Sequence, residues 1–493
     1  MRSITLVGRT FVCALVVGFA IGLYSTSAQT TASGKIPITT SSDEARKLYL
    51  EGRDLAEKLR ATDARRLYEQ AVAKDSNFAL GYLGLANTSG TTKEFIDATT
   101  RAAALAGQVS EGERHMILGL EATMKGDPAG VLAHYTDLVR LFPNDERAHN
   151  LLGALYFGRQ EYETAVKHFV KATAINPSFS PPYNLLGYAY RSLEKFNEAE
   201  STFKKYTELI PNDPNPYDSY AELLMKMGRF DESIKAYEKS LSLDPNFVAS
   251  YVGIGSNHLS MGHPEQARTT FAKIAAVARN TGERRLARFW TAASYVHEGA
   301  TDRAIDELKA EYKLAEADQD AASMSGDLTQ MGDVLREAGR PDEALTKYTE
   351  AVTIIDKAQV PNEVKEATRR NHVFEEGRVA IARNDIATAK TKAAEYERQV
   401  AMKKAPFEMR QQHELAGLIA LAEKRGADAV AAFTRANQQD PRILYLTALA
   451  WRQSGDAAKA ATFAAKAAKF NGLSFNYAYV RSKALKVGGT SSE

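Results

Sequence analysis

The chain has 493 residues, 44% of them hydrophobic and 25% charged, with 63 lysines and arginines against 61 aspartates and glutamates. Near-neutrality gives no basic footprint for nucleic acid or anionic lipid, and the length exceeds what one compact core usually holds. The single cysteine, Cys13, leaves no material for a disulfide framework.

Met1-Arg2 and Arg9 precede an apolar run from Phe11 to Tyr24, followed by Ser25-Thr26-Ser27-Ala28. A basic start, an apolar stretch and a small-residue site predict a secretory signal peptide over 1–28, hence a periplasmic or secreted protein. The run is shorter than the ~20 residues of a comfortable membrane helix. The rival reading is an uncleaved helix that anchors the chain in the inner membrane. A lipoprotein reading fails because Val12, before Cys13, is not small. Cleavage would remove Cys13, Arg2 and Arg9, leaving 61 basic residues against 61 acidic ones and no thiol chemistry. No later segment is apolar for long enough to span a membrane. The Ser/Thr-rich run that follows predicts a flexible linker over 29–44.

From residue 45 the chain becomes periodic. Gly52, Ala64, Tyr68 and Ala71 outline a first unit, and a second keeps Tyr82, Leu85 and Ala86 but is interrupted by Thr88-Ser89-Gly90-Thr91-Thr92. These make up an N-terminal segment, 45–111. Over 112–282 a small residue recurs every 34 positions, at Gly119, Gly153, Gly187, Ala221 and Gly255. A second small residue follows twelve later (Val131, Ala165, Ala199, Ser233, Ala267), then an aromatic four beyond (Tyr135, Phe169, Phe203, Tyr237, Phe271). Prolines at 143, 177, 211 and 245 close four of the five units. His149, Leu152, Gly153 and Tyr156 form one helical stripe, and Ala165, Phe169 and Ala172 form another. Proline then stops the second helix, since it lacks the amide and clashes with the preceding turn.

Downstream, over 283–472, Ala292, Gly332, Gly377, Gly417 and Ala448 continue the pattern at spacings of 40, 45, 40 and 31, which lengthens helices or loops near 317–325 and 357–368. Residues 473–487 predict a capping helix that covers the last apolar face, and 488–493 predict a disordered tail.

A 34-residue period of small, small, aromatic and proline positions resembles the tetratricopeptide repeat family, strongly at 112–276 and more loosely over the rest of 45–472. The resemblance implies an all-α, right-handed solenoid of about twelve tandem helical hairpins with a C-terminal capping helix. It also implies a concave groove lined by the second, fifth, ninth and twelfth positions of each unit. Carried onto this chain, those include Arg147, Asn150 and Phe157; Asn184, Tyr188 and Arg191; and Asn215, Asp218 and Glu222. Asn150 and Asn184 are notable because an amide both donates and accepts, so a ladder of them holds an extended backbone whatever its side chains. Helices pack at roughly 8–10 Å and an extended chain rises about 3.3 Å per residue, so rungs meet about every third peptide residue. The bland alternative is that both are polar residues on a wet surface. Asp218 and Glu222 make the groove unlike the basic clamp with which chaperone-binding members hold a terminal carboxylate.

No catalytic constellation is legible. His413-Glu414 lacks a second histidine at metalloprotease spacing, and His258 and His263 lie five apart, off one helix face. His115 and His149 occupy packing-stripe positions. There is no phosphate loop, and Gly253-Ile254-Gly255 is explained by helix packing. The sequence therefore predicts no enzyme, no cofactor and no metal site. It predicts a scaffold of the bacterial cell envelope that binds a protein or peptide segment of unknown identity, with a membrane-anchored assembly factor as the alternative.

Overall fold

The computed structural model describes residues 34–487. The segment expected to be a signal peptide (1–28), residues 29–33 and the tail after Val487 lie outside the described residues.

Among the described residues there are twenty-five α-helices, one 3-10 turn and no strand. The helices pair in sequence into twelve antiparallel hairpins plus a last helix, Phe475–Val487. Local chemistry sets each boundary. In the fourth unit Asp145 accepts hydrogen bonds from the amides of Arg147 and Ala148 and starts the helix Glu146–Gly158. The second helix, Tyr162–Ile175, stops at Asn176-Pro177. Between the two helices Gln160 adopts φ 63°. A left-handed residue recurs seven positions after the grid residue in eleven of the twelve units, for example at Gly126, Gln160, Glu194, Gly228 and Gly262. Only the second unit lacks it. There Thr88 Oγ1 donates to the Gly84 carbonyl (2.8 Å) and ends the first helix, Ala79–Asn87, after nine residues.

The grid glycines are small because an aromatic ring lies directly on them. A Cβ at Gly153 would stand 2.7 Å from Phe169 Cε1, and one at Gly187 would stand 2.6 Å from Phe203 Cζ. Phe169 thus packs over the glycine of its own hairpin and also reaches Leu186 of the next, so it does more than fill the gap between units. In the irregular half the extra residues lengthen the helices rather than the loops. The helices from Thr281–Glu298 to Pro406–Ala422 have 17 to 21 residues, against 12 to 14 in the regular array.

The solenoid closes on itself every seven units. Thr62 of unit 1 meets Glu283 of unit 8 (3.3 Å), and the Thr92 amide of unit 2 donates to Asp320 at the start of unit 9 (3.1 Å). Gln160 and Arg159 of unit 4 bond Asn437 and Arg410 of unit 11 (2.8 and 3.2 Å). The Lys226 ammonium of unit 6 donates to the Phe470 carbonyl after unit 12 (2.7 Å). Successive superhelical turns are therefore in contact, and the concave face becomes the wall of a narrow interior.

Candidate functional site

The interior is already partly filled by the chain itself. The last helix caps unit 12, with Ala484 and Leu485 packed on Leu444, Ala467 and Ala468. It also does more than cap. Phe475 lies 4.9 Å from the Phe289 ring of unit 8, Gln330 donates to the Tyr479 hydroxyl (3.0 Å), and Arg481 donates to the Ser260 carbonyl (2.6 Å). Around it the inner helices carry a buried ion network. Arg378 meets Asp333 and Glu375 (3.1 and 3.0 Å), and Arg442 meets Glu414 (2.6 Å). Burial pushes the Glu414 carboxyl up to about 8 and that of Asp440 to about 7.

At the other end, residues 35–41 do not form the expected linker. They run from unit 4 back to unit 1 along the inner helices. The Ile36 amide donates to Asp145 (2.9 Å), the Thr39 amide and hydroxyl both donate to Glu113 (2.6 Å each), and Thr40 and Ser41 bond Asp75. Lys35 reaches the Asn144 carbonyl (2.9 Å) and ion-pairs with Glu146. Ile36 packs against Phe142 and Met116, and Ile38 against the core around Tyr49 and Leu80. Glu113 and Met116 stand one repeat upstream of Arg147 and Asn150, so they are second and fifth positions of unit 3. Arg46, which donates to the Ile38 carbonyl (2.6 Å), and Tyr49 are the same positions of unit 1. Ile36 to Thr39 is three residues and one repeat. That step is about 10 Å for an extended chain and matches the spacing of packed helices. The linker reading missed this contact because Ser/Thr content says nothing about which carboxylates will face it. The Ile36-Pro37-Ile38 triplet was the signal available in the sequence.

The nine groove residues read from the sequence are held in different ways. Arg147 crosses the interior to Glu57 of unit 1, with Nε–Oε1 at 2.8 Å, and its guanidinium lies 4.7 Å from the Phe179 ring centre. Phe157 sits edge-on to Tyr162 at 5.4 Å. Arg191 pairs with Glu222 (2.9 Å) and covers the Tyr188 ring at 4.6 Å. Asn215 is buried and donates to the Tyr206 hydroxyl (2.5 Å). Asp218 is buried and accepts from Ser250 (2.7 Å), which contacts Ser240 in turn. Burial, reinforced by the Glu222 carboxylate, raises the Asp218 carboxyl to about 8. Asn150 and Asn184 differ from the rest, because the Oδ1 of each is enclosed and finds no donor among the described residues. A buried acceptor without a donor costs roughly 1–3 kcal/mol. The two rungs of the ladder are thus unpaired but shut away from solvent, while its third member, Asp218, is engaged by the fold.

Sequence models of the tetratricopeptide repeat match residues 146–179, 180–213, 214–247 and 252–322. This is a tetratricopeptide repeat protein. The matched stretch covers the regular array from residue 146 onward and the first long-helix unit, and the remaining hairpins repeat its helix–turn–helix order. Such repeats make the chain a protein-interaction scaffold. Solved structures with related folds include a tetratricopeptide repeat protein from Parabacteroides merdae ATCC 43184 (17% identity, 55% of this chain and 94% of that one, TM-score 0.36). They also include the protein MamA (24% identity, 32% and 91%, TM-score 0.28) and PilW, described as a type IV pilus biogenesis factor (14% identity, 44% and 92%, TM-score 0.32). No curated protein sequence matches the chain. Among the described residues, no helix is long and apolar enough to cross a membrane, and no group of three or more histidine, cysteine, aspartate or glutamate side chains is placed to hold a metal ion.

Proposed function

We propose that this tetratricopeptide repeat protein is a non-enzymatic scaffold, exported to the cell envelope, that holds extended protein segments along its inner helices. The observation that carries this reading is the chain's own segment 35–41. It meets the wall as a peptide ligand would, with backbone amides on the carboxylates of Asp145 and Glu113 and with Ile36 and Ile38 in apolar seats. Backbone amides presented to fixed carboxylates make charge-assisted bonds, stronger than neutral ones and indifferent to side-chain identity. Ile36 and Ile38 supply the selectivity. The same wall continues past Arg147 to the fifth-position amides of Asn150 and Asn184. Export rests on the basic, apolar and small-residue order of residues 1–28.

The test is binding in trans. In the full chain, Ile36→Asp with Ile38→Asp should eject the segment by placing two charges in apolar seats. A labelled peptide of residues 34–42 should then bind saturably by fluorescence anisotropy, and the unaltered chain should exclude it. Adding Glu113→Gln and Asp145→Asn should weaken the binding. A peptide that binds neither protein would sink the reading. For export, intact mass of protein recovered from the envelope should show a chain starting at or near Gln29.

A further inference from the structure

The second hairpin departs from the repeat at Thr88-Ser89-Gly90-Thr91-Thr92, and these residues meet the starts of units 8 and 9, one superhelical turn away. A Cβ added at Gly282 would stand 2.8 Å from the Gly90 carbonyl oxygen, so the approach of the two backbones depends on a glycine at 282. The Thr92 amide donates to Asp320 (3.1 Å). Beside it, Thr62 of unit 1 meets Glu283 and Asn280 (3.3 Å each), and Arg279 meets Asp63 (3.5 Å).

This seam is bonded differently from the joints between neighbouring units. Neighbouring hairpins share apolar cores, but among the described residues the core of units 1–3 and that of units 7–10 are separate clusters. A cleft of about 810 Å³ lies along the seam, with Arg65 and Ser89 on one side and Arg279 and Leu286 on the other. Of the four polar contacts, only that of Thr92 is shorter than 3.3 Å. Good bonds of this type cluster at about 2.9–3.0 Å, and ion pairs at a wet surface stabilise little.

The carboxylates of the seam also have partners on their own side. Glu283 accepts from the Arg279 amide (2.6 Å), Asp320 from the Ser323 amide and hydroxyl (3.0 and 2.8 Å), and Asp63 from Arg60 (3.0 Å). Across from them, Glu94 accepts from the Gly90 amide (2.9 Å), and its own amide donates to Thr91 (3.2 Å). Separation therefore strands no buried charge, and water replaces the bonds that are lost. The far end of the stack is tied more firmly, because the last helix joins units 7–10 to unit 12 through apolar contacts. We propose that Thr88–Thr92 is a latch on the superhelix: units 1 and 2 swing off units 8 and 9 and open the interior sideways to a protein segment. What enters rests on the scaffold reading above; the opening itself does not.

The experiment measures the seam directly. In a full chain carrying Cys13→Ser, nitroxides are placed at the exposed positions Asp97→Cys of unit 2 and Ala317→Cys of unit 8, and their separation is read by double electron–electron resonance. The unaltered latch should give a short distance with a longer one beside it. Thr92→Pro removes the cross-seam donor at no cost to its helix. Thr92 is the first helical residue, where proline is tolerated, and Thr91 already has the extended backbone (φ −137°, ψ 156°) that a following proline favours. This variant should raise the longer population several-fold without lowering the melting temperature. Gly282→Leu, a wedge against the Gly90 carbonyl, should shift the distances the same way, and it decides the matter if the proline disturbs its helix. The labelled peptide of residues 34–42 should also enter the Ile36→Asp, Ile38→Asp chain faster when Thr92→Pro is added. A single distance that both variants leave in place overturns the latch. A peptide that binds no chain counts against the scaffold reading, while the distances still decide the latch.

Discussion

Gly187→Ala sets two known effects against each other. Alanine is worth up to about 1 kcal/mol over glycine inside a helix. Gly187 lies within the helix Pro181–Ser192, yet its new Cβ would stand 2.6 Å from Cζ and 2.7 Å from Cε1 of Phe203, a ring with no exposed surface. Carbon atoms want roughly 3.5–4.0 Å, so the ring must retreat by about 1 Å into packed surroundings. Overpacking of this kind costs about 1–3 kcal/mol, and the clash should outweigh the propensity gain. Gly326 is the control, because it sits in the helix Ala321–Glu337 with nothing within 4 Å of an added Cβ. Gly326→Ala should stabilise by several tenths of a kcal/mol. In a solenoid each unit contributes its own stability plus an interface to each neighbour, so the assay is hydrogen exchange of peptides from each altered helix alongside the melting temperature. Protection should fall at 181–209 for Gly187→Ala and rise at 321–337 for Gly326→Ala. A smaller, ringless side chain should relieve the clash, so Phe203→Leu in the same chain should reduce the cost of Gly187→Ala by about 0.5–3 kcal/mol of coupling. Equal, favourable effects of the two alanines would refute the ring-on-glycine account of the repeat.

Asp218 has a folded pKa of about 8 against an ordinary 3.8, so its contribution is complete below about pH 4 and is lost as pH rises through 8. Asp218→Asn, which keeps an acceptor for Ser250, should leave stability unchanged near pH 3.5 and begin to raise it by pH 5. It should raise stability at pH 9 by on the order of a few kcal/mol, read by denaturant titration at both pH values. Asn184→Ala removes a buried amide oxygen that has no donor, and relief of that roughly 1–3 kcal/mol penalty offsets the lost packing, so the melting temperature should not fall. Affinity for a partner recovered by crosslinking should fall by about 0.5–1.5 kcal/mol, and further with Asn150→Ala. Phe475→Ala should cost about 3–5 kcal/mol locally, seen as faster exchange in the helix Thr281–Glu298 against which it packs.

The fold was legible because one unit's packing is local. Gly153, Ala165 and Phe169 meet within a single hairpin, so their spacing repeats wherever the hairpin does. The left-handed turn residues were legible in principle but carry no common residue type, since Gln160 and Glu194 stand where Gly126 and Gly228 do. Of the groove, positions could be read but occupancy could not. Asn150 and Asn184 look alike in sequence to Asn215, which the fold spends on Tyr206.

By itself, then, the sequence determined the helical hairpin, its twelvefold repetition and the face that each unit turns inward, because those follow from contacts closed within about 34 residues. Tertiary structure decided what that inward face meets. Arg147 finds Glu57 across the interior, the turns seal seven units apart, the last helix enters between units 7 and 9, and residues 35–41 lie along the first four units. Each of these depends on small rotations summed over many units. No local pattern records such a sum, so only the assembled superhelix shows which side chains face one another.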